Sequence, residues 1–271
     1  MKIEFCKYQG MGNDFIIIDN RNNQYENIDK KIIEQMCRPK FGIGADGLIL
    51  MENSEISSFK MRYFNKDGKE ASMCGNGGRC IAAFATKLNM IPKDVFFEFE
   101  SIVGIHKAIV NNNNNVVSLK MQDVKECQKV KGSKYLKRGY FVDTGSPHYI
   151  VVCDNVKSIN VFMEGVRIRR HEKFLKIGGT NVNFMQINKN GSLSVVTYER
   201  GVENETLSCG TGAVASAIVA QKIIKSQPEF IVNTEGGTLK VKLKEQLDGT
   251  ITDIWLEGEA KLVFEGTLRC E

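Results

Sequence analysis

The sequence predicts an α+β fold with two pseudo-symmetric domains, each a mostly antiparallel sheet wrapped around a central helix. Short apolar segments that alternate like half-buried strands fill much of the 271-residue chain. Two segments of small and apolar residues instead have helical spacing, and both begin with Cys-Gly-x-Gly, at Cys74 and at Cys209. The same helix start in each half predicts a duplicated unit with one buried helix per copy.

Further spacings support the duplication. A tyrosine stands eleven residues before each of the two cysteines, and a glutamate stands four residues before each. Asn65 and Arg200 occupy the same position, nine residues before the two cysteines. Asp46, in a glycine-rich turn of the first half, corresponds to Asn181 in the second half. Matches that run through both halves in register indicate two related domains.

In the first half, predicted strands alternate with glycine-rich turns. The turn after the first strand is expected to expose Asn13, because glycines allow a sharp backbone path there. Asn27 or Asp29 should cap a helix that ends at Cys37. The asparagine run 111–115 is interpreted as a hairpin loop of low complexity. The predicted strands are 3–8, 15–19, 48–51, 59–63, 95–99, 105–110 and 116–121.

The second half repeats this style after a lysine-rich stretch, 125–138, that is predicted to connect the domains. The pair Asn190-Gly191 is a strong signal for a β-hairpin turn. The predicted strands are 149–153, 183–188, 193–198, one around 230, 239–243 and 251–256. The first domain is expected to span residues 1–122 and the second 123–259. The tail 260–271 is expected to pack back on the first domain, and the active site to lie in the cleft between the two domains.

Composition excludes several classes of function. Hydrophobic residues make up 42% of the chain and charged residues 25%, as in ordinary globular proteins. The net charge of +5 is mild, and the basic stretches lack interleaved aromatic residues, so no nucleic-acid partner is expected. No signal peptide and no membrane-spanning apolar run are visible, which predicts a cytoplasmic protein without membrane partners.

The cysteines are expected to be reduced thiols rather than metal ligands. The chain has eight cysteines but no Cys-x-x-Cys pair, and only three histidines. These spacings do not fit a structural zinc site, so no metal is predicted. Neither glycine motif matches a nucleotide-binding fingerprint, and no motif demands pyridoxal phosphate. We therefore expect an enzyme without a cofactor.

Two thiols at helix starts suggest proton transfer at a carbon atom. A helix N-terminus lowers a thiol pKa, and its free N–H groups can hold a carboxylate. Inverting a carbon requires removing a proton from one face and delivering another to the opposite face. A thiolate and a thiol on opposite sides of one pocket can share that work and exchange roles with reaction direction. Cys74 and Cys209 are therefore predicted to be an acid/base pair.

At this point the motifs resemble those of the diaminopimelate epimerase family over nearly the whole chain. The resemblance implies a cofactor-independent epimerase that interconverts LL- and meso-2,6-diaminopimelate in lysine and peptidoglycan precursor biosynthesis. It also implies the two-domain fold of that family and a homodimer. The motifs that carry it are Gly12-Asn13-Asp14-Phe15, Phe64-Asn65-x-Asp67-Gly68, Met73-Cys74-Gly75-Asn76-Gly77-Gly78-Arg79-Cys80, Tyr198-Glu199-Arg200-Gly201 and Cys209-Gly210-Thr211-Gly212-Ala213.

The resemblance also implies site residues. The helix-start residues Gly75, Asn76, Gly210 and Thr211 would bind the carboxylate at the reacting centre. The ammonium groups and the distal carboxylate would be held by Asn13, Asn65, Asn181, Glu199 and Arg200. His148 and Glu199 correspond to positions thought to tune the two thiols.

Two positions depart from the family pattern. Ser146 stands where family members commonly have asparagine, and a serine hydroxyl can donate and accept a hydrogen bond. The resemblance therefore leaves open whether Ser146 contacts the substrate. Gly47 stands where some members have glutamine, so no side-chain contact is assigned there.

Two alternatives remain on the sequence alone. The first is a proline or hydroxyproline racemase of the same fold, although such relatives typically follow the first cysteine with Gly-His-Gly rather than Gly75-Asn76-Gly77. The second is a non-catalytic protein that uses Cys74 and Cys209 as a redox switch. Arg200 and the several asparagines favour a substrate with two amino-acid ends, because a guanidinium grips a carboxylate bidentately.

Overall fold

The computed structural model describes residues 2–112, 116–225 and 227–269. The chain divides into two compact units. The first unit consists of Met1–Leu119 and Gly258–Glu271, and the second consists of Lys120–Glu257. Cys270 and the 113–115 part of the predicted asparagine loop lie outside the described residues.

The first unit contains nine strands and two helices within its described residues. In chain order they are β1 (Lys2–Gly10), β2 (Asn13–Asp19), α1 (Lys30–Cys37), β3 (Gly47–Glu52), β4 (Lys60–Asn65), β5 (Glu70–Ala71), α2 (Gly75–Lys87), β6 (Phe96–Ser101), β7 (Gly104–Val110), β8 (Val116–Lys120) and β18 (Lys261–Arg269).

The sheet of the first unit runs in the order β18-β1-β2-β3-β4-β6-β7-β8. Two neighbouring pairs are parallel, β2 with β3 and β4 with β6, and the other pairs are antiparallel. Each parallel pair is joined by a crossover that contains a helix, as parallel pairing requires. Helix α1 lies in the first crossover, and α2 lies in the second together with the short strand β5.

The second unit contains nine strands within its described residues. In chain order its elements are β9 (Cys127–Val130), β10 (Gly139–Asp143), β11 (Pro147–Val152), a 3₁₀ turn (Val156–Ser158), α3 (Val161–Arg169), α4 (Glu172–Leu175), β12 (Asn181–Ile187), β13 (Leu193–Glu199), β14 (Asn204–Thr206), α5 (Gly210–Ile224), β15 (Glu229–Thr234), β16 (Gly237–Glu245) and β17 (Ile251–Glu259).

The second unit repeats the topology of the first. Its sheet runs β9-β10-β11-β12-β13-β15-β16-β17, again with two parallel pairs, β11 with β12 and β13 with β15. Helix α3 lies in the first crossover and α5 in the second, as α1 and α2 do in the first unit. The predicted duplication and the predicted fold class of mostly antiparallel sheets around a central helix are confirmed.

The central helices α2 and α5 are buried on nearly all sides. Helix α2 packs against β1, β2 and β7, and α5 packs against strands that include β11, β12 and β16. Small residues allow this close approach, since a Cβ on Gly77 would come within 3.2 Å of the Ile49 side chain. A helix that buries most of its surface in this way is a core element of its unit. Each sheet therefore presents the start of one buried helix.

Two expectations from sequence differ from the structure. The stretch 125–138 was predicted to connect the domains, but it contains β9, which pairs with β10 inside the second unit. Helix α3 was not predicted, because only a short apolar stripe marks it among charged residues. Its position is explained by the Asn160 cap and by Gly165, which lies against the Tyr198 ring. None of the helices in the described ranges combines the length and the apolar character that a membrane-spanning helix needs.

Candidate active site

Cys74 and Cys209 occupy the N-cap positions of α2 and α5. Both have an extended backbone, and neither side chain caps its helix. By contrast, Asp29 and Asn160 accept hydrogen bonds from the first turns of α1 and α3. The first N–H groups of a helix have no intrahelical partner, so an uncapped start can bind an anion. The predicted thiol at each helix start is confirmed in its position.

Glycines at different positions of the helix starts differ in the space around them. A Cβ on Gly75 would meet nothing within 4 Å, so a ligand can approach the backbone there. A Cβ on Gly212 would lie 2.3 Å from Asn183 Nδ2. Glycine at position 212 is therefore required for packing, while Gly75 leaves room beside the N–H groups of α2.

Two predicted residues of the first unit, Asn13 and Asn76, lie beside Cys74. The Cys74 thiol lies 3.5 Å from Asn13 Oδ1, and Asn76 Nδ2 donates to the same oxygen at 3.2 Å. Asn13 follows a two-residue hairpin turn in which Met11 and Gly12 both have positive φ. Two-residue turns of this kind are favoured in hairpins because their backbone twist matches that of the strands they join. The turn therefore delivers the Asn13 side chain to the start of α2.

Asp46 supports Asn13, and sequence analysis did not assign it to the site. Its carboxylate accepts a hydrogen bond from Asn13 Nδ2 at 2.6 Å and one from the Asp14 N–H at 3.3 Å. Lys7 forms an ion pair with Asp14 at 2.7 Å and also donates to the Gly44 carbonyl. The signal that could have found Asp46 is its correspondence with Asn181 in the duplication.

Asn65 lies at the exposed end of β4. The Tyr63 hydroxyl donates to Asn65 Oδ1 at 2.9 Å, which orients the amide. Gly47 stands opposite Asn65 in the neighbouring strand, and a Cβ there would lie 2.6 Å from the Tyr63 ring. Tyr63 therefore fills the space that a longer side chain at position 47 would need.

In the second unit, Cys209 begins a chain of hydrogen-bonding groups. Its sulfur lies 3.5 Å from Thr211 Oγ1, which lies 2.9 Å from His148 Nε2. His148 Nδ1 lies 2.8 Å from Asn183 Oδ1, and Asn183 Nδ2 donates to Thr197 Oγ1 at 2.6 Å. Since Asn183 Oδ1 can only accept, the neutral imidazole carries its proton on Nδ1. His148 Nε2 then accepts from the Thr211 hydroxyl, whose oxygen can accept the Cys209 S–H.

His148 is neutral near physiological pH. Burial is the main cause that lowers its pKa to about 4, and the charge of Arg200 lowers it further. The hydrogen bond to Asn183 acts in the opposite direction. His148 is fully buried, so water cannot solvate a positive charge on its imidazole. The imidazole beside Thr211 is therefore available as a hydrogen-bond acceptor.

The buried His148 predicts a loss of stability in weak acid. The folded protein holds the pKa near 4, whereas the ordinary histidine value is 6.5, so the unfolded chain binds more protons between these values. Stability therefore falls as pH drops from about 6.5 toward 4, by up to about 3 kcal/mol. His148→Gln should flatten this part of a urea-unfolding profile against pH. An unchanged slope in His148→Gln would contradict the assignment.

Asn181 joins Ser146 and Arg200. Its Nδ2 donates to Ser146 Oγ at 2.9 Å and to the Pro147 carbonyl at 3.0 Å, and its Oδ1 accepts from the Arg200 backbone N–H at 2.8 Å. Both amide hydrogens of Asn181 are thus used within the unit. The bond between Asn181 and Ser146 repeats the bond between Asp46 and Asn13 in the first unit.

Arg200 and Glu199 lie at the end of β13. Arg200 NH1 lies 3.3 Å from the Ile177 carbonyl and 3.4 Å from the Gly179 carbonyl, which hold one edge of the guanidinium. The Glu199 carboxylate accepts a hydrogen bond from Thr206 Oγ1 at 2.9 Å, in β14. Arg200 thus belongs to the same group as Asn181 and Ser146, and Glu199 is anchored to the neighbouring strand.

The remaining described cysteines are structural. Burial raises the pKa of Cys37 and Cys80 to about 12 and that of Cys127 to about 11. Burial also raises the pKa of Cys6 and Cys153. A buried thiol with a raised pKa is inert as a nucleophile or base. In the part of the chain that the structure describes, no group of three His, Cys, Asp or Glu side chains could hold a metal ion.

Comparison with known protein sequences finds one family over nearly the whole chain. A sequence model described as diaminopimelate epimerase matches residues 5–126 and 140–263. A protein of Flavobacterium psychrophilum named diaminopimelate epimerase is 44% identical over 268 residues, which covers 98% of this chain and 100% of that protein. One of the same name from Aquifex aeolicus is 38% identical, with 98% of each chain covered.

Comparison with solved structures shows the fold. A phenazine biosynthesis protein of the PhzF family from Bacillus anthracis is similar with a TM-score of 0.79 at 17% identity, and all of each chain is covered. A hydroxyproline epimerase from Agrobacterium vitis, solved with bound trans-4-hydroxy-L-proline, has a TM-score of 0.66 at 14% identity. The match covers 98% of this chain and 92% of that one.

Proposed function

Because this chain belongs to the diaminopimelate epimerase family, we propose that it interconverts LL- and meso-2,6-diaminopimelate with Cys74 and Cys209 as its acid and base. The two relatives of this name align over 98% of this chain and over 100% and 98% of their own lengths. The observation that carries the proposal is the pair of uncapped helix starts, each with a cysteine at the N-cap.

In the proposed reaction, one thiolate takes the α-proton of the substrate and becomes a thiol. The electron pair left on the α-carbon delocalises into the adjacent carboxylate. The other thiol then delivers its proton to the opposite face of the carbon and becomes a thiolate. The product has inverted configuration, the two cysteines have exchanged protonation states, and the reverse reaction uses them in the opposite order.

The helix starts supply the electrostatic part of the proposed catalysis. The N–H groups of Gly75, Asn76, Gly210 and Thr211 would donate to the carboxylate at the reacting centre. Their interaction strengthens as negative charge develops on that carboxylate, which lowers the barrier. The open space beside Gly75 supports this role, because a carboxylate needs to approach the backbone closely.

The neighbours of the two thiols support different roles. Asn13 and Asn65 in the first unit, and Asn181 and Arg200 in the second, supply amide and guanidinium groups for the ammonium ends and the distal carboxylate. Ser146 is proposed to act chiefly through Asn181, since its hydroxyl oxygen accepts from that amide. His148 is proposed to tune Cys209 through Thr211. Glu199 is proposed to bind the substrate and to tune the pKa of a thiol, on the basis of the family resemblance.

The proposal extends to a homodimer in the cytoplasm, with no cofactor. The described cysteines outside the proposed pair are free thiols, namely Cys6, Cys37, Cys80, Cys127 and Cys153. The reducing cytoplasm maintains this state. Light scattering of the purified protein at micromolar concentration tests the dimer, which is contradicted by a monomer mass at every concentration.

A substrate panel tests the proposed activity. LL-diaminopimelate, L-proline and trans-4-hydroxy-L-proline are each incubated with the reduced protein in deuterium oxide, and the epimers are separated by chiral chromatography. Inversion of diaminopimelate with deuterium at one α-carbon is expected, with no inversion of either cyclic amino acid. Turnover of proline or hydroxyproline alone would replace the proposal with the racemase alternative, and no turnover of any substrate would reject both.

A further inference from the structure

Arg79 is a buried cation that the proposed mechanism does not yet use. It lies one turn into α2, and its side chain is fully buried. Within the described residues its Nε and NH1 groups have no hydrogen-bond partner, and no carboxylate forms an ion pair with it. Burying an unpaired charge opposes folding, so the position of Arg79 calls for a physical explanation.

The hydrogen bond that Arg79 does make leads toward Cys74. Arg79 NH2 donates to Asn76 Oδ1 at 2.7 Å, and Asn76 Nδ2 donates to Asn13 Oδ1 at 3.2 Å. Asn13 Nδ2 in turn donates to Asp46 Oδ2 at 2.6 Å. The four side chains form one directed chain of donors that runs from a cation to an anion.

The charges at the two ends determine how both amides are oriented. Arg79 can only donate and the Asp46 carboxylate can only accept, whereas an asparagine amide can do either after a flip. A flip of Asn76 would turn its NH₂ group toward the guanidinium, and a flip of Asn13 would turn its oxygen toward the carboxylate. The first flip would place two donors together and the second two acceptors. The charges of Arg79 and Asp46 therefore exclude both flipped orientations.

We propose that Asp46 and Arg79 are positioning residues that hold the Asn13 and Asn76 amides in one orientation beside Cys74. In that orientation Asn13 Oδ1 faces the Cys74 sulfur at 3.5 Å. Asn76 is held at the same time at the start of α2, where the substrate carboxylate is expected to bind. This inference rests on the proposed role of Cys74 as an acid/base.

The duplication supports this assignment independently. The bond between Asp46 and Asn13 is repeated between Asn181 and Ser146, so both units tie these two positions together. In the second unit, however, the end group is a neutral amide, and Val214 stands five residues after Cys209, where Arg79 stands after Cys74. The opposed charges are therefore a specific property of the Cys74 unit.

The charges near Cys74 fix the sign of the expected effects. Within this unit Arg79 and Cys80 from α2 interact with it electrostatically, and Asp46 from the turn before β3 is linked to it through Asn13. Asp14 from β2 and Lys7 from β1 lie on the other side of Asn13 and Asp46. Lys7 and Asp14 pair with each other at 2.7 Å, and Cys80 is a neutral thiol because burial raises its pKa to about 12. Loss of the Arg79 cation should hinder ionisation of Cys74, while loss of the Asp46 anion should favour it.

The test compares Arg79→Gln and Asp46→Asn in the full-length protein. Iodoacetamide labelling of Cys74 is followed against pH without substrate, by mass spectrometry of its peptide. The labelling midpoint should rise by about half a pH unit or more in Arg79→Gln and fall in Asp46→Asn. Turnover of diaminopimelate should lose about 10- to 100-fold in kcat/KM in both, because the amides are no longer held in place.

Rescue and controls separate positioning from damage to the fold. Arg79→Lys keeps the charge and should return the labelling midpoint to within a few tenths of a pH unit of wild type. The matched controls Asp19→Asn and Arg21→Gln remove a half-buried ion pair of the same unit and should change neither readout. Asp46 is exposed, so Asp46→Asn should fold even where Arg79→Gln does not.

Three results would overturn the inference. The first is a labelling midpoint that moves in the same direction in Arg79→Gln and Asp46→Asn. The second is an Asp46→Asn protein whose labelling midpoint and kcat/KM both match wild type. The third is an Arg79→Lys protein whose labelling midpoint stays at that of a folded Arg79→Gln protein. The labelling experiment needs no turnover. A wild-type protein that does not act on diaminopimelate would therefore count against the proposed function and not against the orientation of the amides.

Discussion

Replacing either Cys74 or Cys209 with alanine should abolish inversion of diaminopimelate, with a loss of at least about 10³-fold in kcat. In the proposed mechanism each thiol serves one face of the α-carbon, so neither can substitute for the other. General acid–base groups typically contribute 10²- to 10⁴-fold each. Inversion is measured from each epimer separately as formation of the other, with deuterium from solvent at the reacting carbon. Combining both substitutions should lower the rate little further, because the first already breaks the pair.

Cys127 provides a matched control for the cysteine variants. Like Cys74 it is half-buried, but it lies in β9 and burial raises its pKa to about 11. Cys127→Ala should therefore keep wild-type kcat and KM. Inversion at the wild-type rate in Cys74→Ala or in Cys209→Ala would exclude the two-base mechanism, and circular dichroism of each variant shows that its fold is retained.

Arg200→Gln should lower kcat/KM for diaminopimelate by about 100-fold or more. The two carbonyls of Ile177 and Gly179 hold NH1, which fixes the plane of the guanidinium. A guanidinium held in this way can donate two parallel hydrogen bonds to the distal carboxylate. Each charge-assisted bond contributes about 1.5–3 kcal/mol, so the loss of both predicts this magnitude. Initial rates against substrate concentration give kcat and KM separately.

Two further variants define what Arg200 contributes. Arg200→Lys retains the charge but not the planar fork, so it should fall between wild type and Arg200→Gln. Arg170 is an exposed arginine of the same unit, and Arg170→Gln should leave the kinetics unchanged. A kcat/KM within twofold of wild type in Arg200→Gln would remove this residue from the substrate site.

Local features of the fold could be predicted because their signals are local. Asp29 was one of two candidates for the cap of α1, and its side chain accepts from the first turn as a cap should. The Asn190-Gly191 pair predicted a hairpin, and β12 and β13 pair across it. Helix α3 was not predicted from the sequence. Gly165 allows the helix to pack against Tyr198, but glycine lowers the helix propensity of this segment.

The candidate site could be predicted only in part. Cys74 and Cys209 stood out because the same motif occurs twice, and both lie at helix starts in the structure. Asn183 carried no signal, although it links His148 to Thr197. Its role depends on strands that are distant in sequence and adjacent in the sheet, and no periodicity of the chain records such a contact.

The duplication, the two helix-start cysteines and the family resemblance could all be recognised from the amino-acid sequence alone. These features follow from composition, spacing and motif, which short stretches of chain contain in full. The folded structure was needed to show that Asp46 and Arg79 end a directed chain of hydrogen bonds through two amides, and that His148 is buried and neutral. The physical reason is that hydrogen-bond direction and desolvation depend on which groups meet in space, and folding brings those groups together from separate elements.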